Sequence, residues 1–191
     1  MRLIIGLEPS IAVVEKLSLA QQALESPARQ LGLDMVWTDA ADIRLVLRVV
    51  DGATSDWSAT LRDHLGTVLR SRRKILWDTW GVDWVDGAVR PALLVARAGG
   101  ATEDSDVPSL QKQIDALVER SGARPSRTGW KPLIRLGRGR SEGPVDMSGV
   151  LTRYESLSWG RTASSHLVIW STDVRADVVR TRVVDRIPLG G

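Results

Sequence analysis

The chain has 191 residues, 43% apolar and 26% charged, an ordinary balance for a globular protein and enough length for a sizeable core. It has no cysteine, which excludes a disulfide framework and a thiolate metal site. No apolar run is long enough to span a bilayer, and the opening MRLIIGL is too short and too weakly basic for a secretory signal, so the cytoplasm is the expected compartment. Net charge is only +3, yet 22 of the 26 basic residues are arginine. That preference suits bidentate recognition of phosphate or carboxylate, and a coding bias would leave the same signature, so charge permits nucleic-acid binding without demanding it.

Taken in order, Arg2–Leu7 reads as a strand, and Ser10 as the N-cap of a helix with Ile11, Val14, Leu17, Ala20 and Leu24 at helical spacing, ended by Pro27. Met35–Trp37 is a brief strand, Thr38–Asp42 a turn, Ile43–Val50 a strand closed by Asp51-Gly52, and 56–71 a helix with Trp57, Leu61, Leu65 and Val68 on one face. The cluster Arg70, Arg72, Arg73 and Lys74 complements that helix's C-terminal dipole. Lys74–Trp80 and Pro91–Ala98 form a hairpin joined through Asp83–Arg90, and Gly99–Ser105 is a polar linker. A helix from Asp106 closes at Gly122, Trp130–Arg138 is a strand, Gly137–Gly143 a basic loop, and 146–155 a short helix. Two strands, His166–Ser171 and Val178–Ile187, end the chain.

Two strands organise this layout. In IRLVLRVV the odd positions Ile43, Leu45, Leu47 and Val49 make an apolar row, and the even positions put Arg44, Val46 and Arg48 on the other face. In WKPLIRLGR, Ile134 and Leu136 share one face, while Leu133, Arg135 and Gly137 share the opposite one. Two such strands some ninety residues apart suggest a duplicated α/β architecture with a groove between its halves. The expected lobes are about 1–98 and 106–191 of a single bilobal domain, with exchange of strands between them.

The segments MRLIIGLEPSIAVVEKL, IRLVLRVVDG, KILWDTW, GWKPLIRLGRGR and VVDRIPLGG resemble the two-histidine (2H) phosphoesterase family, in its 2′-5′ RNA ligase-like, RNA 2′,3′-cyclic phosphodiesterase branch. The resemblance implies two pseudo-symmetric lobes, with antiparallel sheets around a central groove and helices on the outer faces, and one His-x-Thr motif per lobe, with the histidines as acid and base and the threonines holding the phosphate. Here the motifs fall on Arg44-Leu45-Val46 and Leu133-Ile134-Arg135. Arginine stays protonated and leucine has no proton to give. Each acid–base role is typically worth ~10²–10⁴ in rate, so the family reaction is not expected. The two histidines present, His64 on a helix and His166 at the head of a strand, lie off both groove strands.

What is left at the groove is Arg44, Val46, Arg48, Leu133 and Arg135, with Arg138 and Arg140 in a glycine-rich loop that lacks GxGxxG spacing. The arginines suit a phosphate, and they equally suit salt bridges to Asp78, Asp83 or Glu155 in an unused groove. The expected function is that of a degenerate relative that binds RNA, a nucleotide or another phosphate ligand without hydrolysing it. The alternatives are a protein-interaction module with a protein partner and, third, an active phosphodiesterase with relocated residues. No cofactor, metal or membrane partner is implied. The eight tryptophans read as core, except that Trp84 in the Asp83–Arg90 turn reads as exposed.

Overall fold

The structure is a computed structural model that describes residues 1–87, 90–100, 106–125, 129–175 and 178–189. Residues 101–105 of the expected linker and the terminal pair Gly190-Gly191 lie outside the described residues. Nine strands are β1 Arg2–Leu7, β2 Asp34–Trp37, β3 Leu45–Val50, β4 Ile75–Gly87, β5 Arg90–Gly99, β6 Leu133–Arg140, β7 Ser158–Ser164, β8 His166–Arg175 and β9 Val178–Pro188. The helices are α1 Ile11–Gln30, α2 Ser55–Leu69, α3 Asp106–Arg120 and the single turn α4 Ser148–Leu151, with 3-10 turns at Ala40–Asp42 and Thr152–Tyr154.

The expected antiparallel α/β architecture is present, with the two expected sheets running on into one curled sheet. Its order is β7-β4-β5-β6-β3-β1-β8-β9, with β2 on β6. All the registered pairs are antiparallel, and the halves meet at a single bridge, Leu45 to Ile134. Each half draws strands from both sides of the stretch around residue 100: β1, β3, β8 and β9 lie on one side of the bridge, β2 and β4 to β7 on the other.

Helices cover the face carrying Leu3, Ile5, Leu7, Leu45, Ile134, Leu136 and Ile169, all buried in one continuous core. Helix α1 packs on β7 and β2, α2 on β9 and α3, and α3 on β3. Ser10 and Thr54 cap α1 and α2 through their hydroxyls. Among the described residues no helix is long and apolar enough to cross a membrane.

Several expectations need correction. Helix α1 runs through Pro27 for a further turn and stops at Gly32, whose φ of 75° lets the Leu33 amide close onto the Ala28 carbonyl. Proline removes only its own donor, and its carbonyl still accepts from Leu31. Ile11 is 79% exposed, so the buried face of α1 starts at Val13 instead. Strand β7 is absent from the sequence expectations: its Gly160 and two serines give no β-propensity signal. The β4–β5 hairpin is longer than expected, and Trp84 lies in it as a half-buried ring packed on the core, not in an exposed turn.

Candidate functional site

The face opposite the helices is the groove wall, and two β-bulges decide which arginines it holds. Between β1 and β3, Gly6 pairs with Val46 but Ile5 pairs with Arg48, so Leu47 is an extra residue. The bulge turns Arg48 onto the helix side, beside Ile5. There its Nη1 lies 3.5 Å from Asp115 of α3 and its Nη2 donates to the Arg124 carbonyl. Arg48, expected in the groove by strict alternation, is therefore part of the helix–sheet interface. Gly6 is the partner this bulge needs, since a Cβ there would collide with the Leu45 carbonyl oxygen.

The second bulge has the opposite outcome. Across β5 and β6, Val95 pairs with Arg135 and Leu94 with Gly137, leaving Leu136 as the extra residue. Regular alternation would turn Arg138 away from Arg135. The bulge instead brings Arg135, Arg138 and Arg140 onto the groove face, all three exposed, and turns Gly137 and Gly139 toward the core. Arg138 and Arg140 belong to strand β6 and not to a phosphate loop. The two glycines make room for β2 and β4 side chains: a Cβ on Gly139 would sit 2.5 Å from the Trp84 ring, and one on Gly137 3.0 Å from the Met35 methyl. Arg140 pairs in register with Asp34 of β2.

At the seam, the Leu45–Ile134 bridge sets Arg44 beside Arg135 and Val46 beside Leu133 on the groove face. Trp130 leads into β6, and its indole N–H donates to the Val46 carbonyl at 2.9 Å where a ladder bond would otherwise fall. Buried Gln21 of α1 donates to the carbonyls of Thr38 and Leu136 at 2.8 and 2.7 Å, fixing the residue that forms the β6 bulge.

Arg44 is 6% exposed, and its guanidinium carbon lies 4.5 Å from the centroid of the Trp170 ring. Its Nη2 is paired with the Asp42 carboxylate and its Nε donates to the Asp42 carbonyl, while buried Nη1 has no protein partner. Burial first, and then the charge of Arg135, bring its pKa down to about 10, against the opposing pull of Glu8. Arg135 is exposed by surface area, yet partial desolvation on the curled wall is still the main cause of its lowered pKa, followed by the charges of Arg138 and Arg2. Glu8 itself accepts from both terminal guanidinium nitrogens of Arg186.

The structure thus brings together Arg44, Val46, Leu133, Arg135 and Arg138 and removes Arg48. Asp83, one of the expected arginine partners, pairs with Arg97 by two bonds of 2.7 and 3.0 Å, and Asp78 pairs with Arg161. The sequence reading missed Arg2, Asp42 and the supporting ring Trp170. Alternation along β1 and β8 does place Arg2 and Trp170 on the groove face, in register with Thr172 and Ile4. His64 is exposed on α2. His166 is exposed at the head of β8, its Nδ1 2.9 Å from the Ser165 hydroxyl.

No family model and no curated protein matches the chain. Solved structures do. TT0787 of Thermus thermophilus is similar with a TM-score of 0.75 at 16% identity, over 99% of this chain and 98% of that one. E. coli LigT complexed with 3′-AMP is similar with a TM-score of 0.71 at 17% identity, over 98% and 97%. A structure described as a phosphoesterase gives 0.69 at 17%, over 100% and 98%. The chain has the fold these proteins share.

Proposed function

We propose that this chain, with the fold of LigT-like phosphoesterases, is a cytoplasmic binder of a phosphate-bearing ligand, a nucleotide or RNA, that does not hydrolyse it. The observation that carries the reading is Arg44: a buried guanidinium backed by Trp170, facing a second arginine, with one N–H group left without a protein partner. A buried donor without an acceptor costs about 1–3 kcal/mol, more when charged, and an anion in the groove would remove that cost. E. coli LigT has been solved with 3′-AMP, ATP, NADP+ and phosphate, which supports a ligand of this class on this fold.

Catalysis is a separate question, and the residues argue against it. A base must be deprotonated at working pH, and Arg44, even at a pKa of about 10, is protonated near neutrality. Leu133 can neither take nor give a proton. With both acid–base roles missing, ~10²–10⁴ in rate is lost for each.

The test compares binding of single-stranded RNA by the native chain and by an Arg44→Gln/Arg135→Gln variant at low and moderate salt. The native chain should bind, with log affinity falling in proportion to the phosphates neutralised, and the folded variant should lose about tenfold or more. A folded variant that binds as well as the native chain would remove the groove from consideration. Turnover of 2′,3′-cyclic nucleotides above background would overturn the non-hydrolytic part.

A further inference from the structure

We infer that the groove selects a terminal phosphate monoester over a bridging or cyclic phosphodiester; the inference rests on the phosphate reading above. The reason is the balance of cations and counter-ions on the groove wall, together with where the donors are placed.

Arg44 from β3 and Arg135 and Arg138 from β6 share this face, and the charge of Arg2 from β1 also acts on Arg135. Two carboxylates offset part of this charge, and two more nearby are committed to other arginines. Asp42 holds one edge of Arg44, Asp51 lies 3.3 Å from Arg2, and Glu8 is bonded twice to Arg186. Asp83, beyond Val95 of β5, is bonded twice to Arg97. Among the described residues Arg135 and Arg138 have no ion-pair partner, and one buried nitrogen of Arg44 has no hydrogen-bond partner. The mutual repulsion shows in Arg44 and Arg135, both held below the ordinary arginine range by burial first and by each other's or neighbouring arginines second. A singly charged diester leaves most of that repulsion in place. A dianion removes more of it, because each added negative charge interacts with several fixed cations at once.

The donor arrangement points the same way. A monoester keeps three terminal oxygens and one ester oxygen; a diester keeps only two terminal oxygens. The cationic side offers three independent sources of N–H groups: Arg44, Arg135 and Arg138. The other side of the seam is Val46 and Leu133, which have no side-chain donor; Arg97, in register with Leu133, turns its guanidinium to Asp83 and the Glu155 carbonyl, so this side suits the carbon attached to a single ester oxygen. A second ester linkage would have to turn a carbon substituent toward the arginines.

The experiment compares 3′-AMP with 2′,3′-cyclic AMP by calorimetric titration at low salt, at pH 7.5 and pH 5. Base and sugar are the same, and only the phosphate differs. The monoester is expected to bind about tenfold more tightly, or better, at pH 7.5. That advantage should shrink at pH 5, below the monoester's second pKa of about 6. The cyclic ester has no proton to exchange in that interval, so any change in its affinity reports a change in the protein itself. In Arg135→Gln, whose site is exposed and tolerates the change, the preference should fall. Equal affinities at pH 7.5, or a preference unchanged in Arg135→Gln, would overturn this inference and leave the phosphate reading standing. Binding of neither ligand would overturn both.

Discussion

Arg48 and Arg138 reach opposite fates by the same device. Each follows a β-bulge that adds one residue, Leu47 in β3 and Leu136 in β6. In β3 the extra residue takes an arginine off the groove wall and gives it Asp115 and the Arg124 carbonyl. In β6 it takes an arginine that alternation would have hidden and turns it into the groove, where it has no ion-pair partner among the described residues. The lesson is that position along a strand does not decide whether a charge stabilises the fold or waits for a ligand. The register of the neighbouring strand decides it.

If that contrast is right, the largest effect should come from the arginine with partners. Arg48→Leu leaves the Asp115 charge beside the core with only the Gln111 amide as a partner and should cost about 3 kcal/mol in urea unfolding, with 3′-AMP affinity of the folded protein unchanged. Adding Asp115→Leu should restore most of that stability, since the penalty lies in the unpaired charge. Next is the packing that holds the second bulge. Gly139→Val forces a side chain against Trp84 and Met35 and should lower stability by about 1–3 kcal/mol in the same assay. Gln21→Leu removes the two bonds to Thr38 and Leu136; a loss of about 1 kcal/mol is expected, because Leu136 still accepts from the Thr38 amide. Arg138→Gln should leave the melting temperature within the error of a surface change while weakening 3′-AMP several-fold. A melting-temperature drop as large as that of Arg48→Leu would erase the distinction between the two bulges. Smallest of all, His64→Ala and His166→Ala should change neither binding nor turnover.

Much of this molecule was legible in its residues, and the failures share a cause. The apolar rows of β1, β6 and β8, that of β3 as far as Leu47, and the spacing in α2 and α3 follow from burial of one face, which a sequence displays directly; past the bulge Val50 takes the core position expected of Val49. Arg44 and Arg135 on the groove wall follow from two-residue alternation at positions before either bulge takes effect. Beyond the bulges alternation misleads, because the extra residue answers to the partner strand: Gly6 opposite the first, Val95 and Leu94 opposite the second. The pair Gly137 and Gly139 looked like a loop because its reason, the rings and thioether of Trp37, Trp84 and Met35, comes from segments far away in the chain. Trp170 beneath Arg44 was hidden in the same way: its contact is three-dimensional, with β1 lying between the two strands.

The seam between the halves has a mechanical consequence. A ladder of backbone bonds resists shear along its whole length, but here only one bridge joins β3 to β6. Stiffness at the joint therefore resides in side chains set to either side of it, the Trp130 indole on the Val46 carbonyl and the Gln21 amide behind Thr38 and Leu136. Of the registered strand pairs this one has the fewest bridges, so the braces beside it help hold Arg44 and Arg135 next to each other. The protein thus sets the span of its two facing guanidiniums by bracing a joint, and the braces stand away from the charges they hold in place.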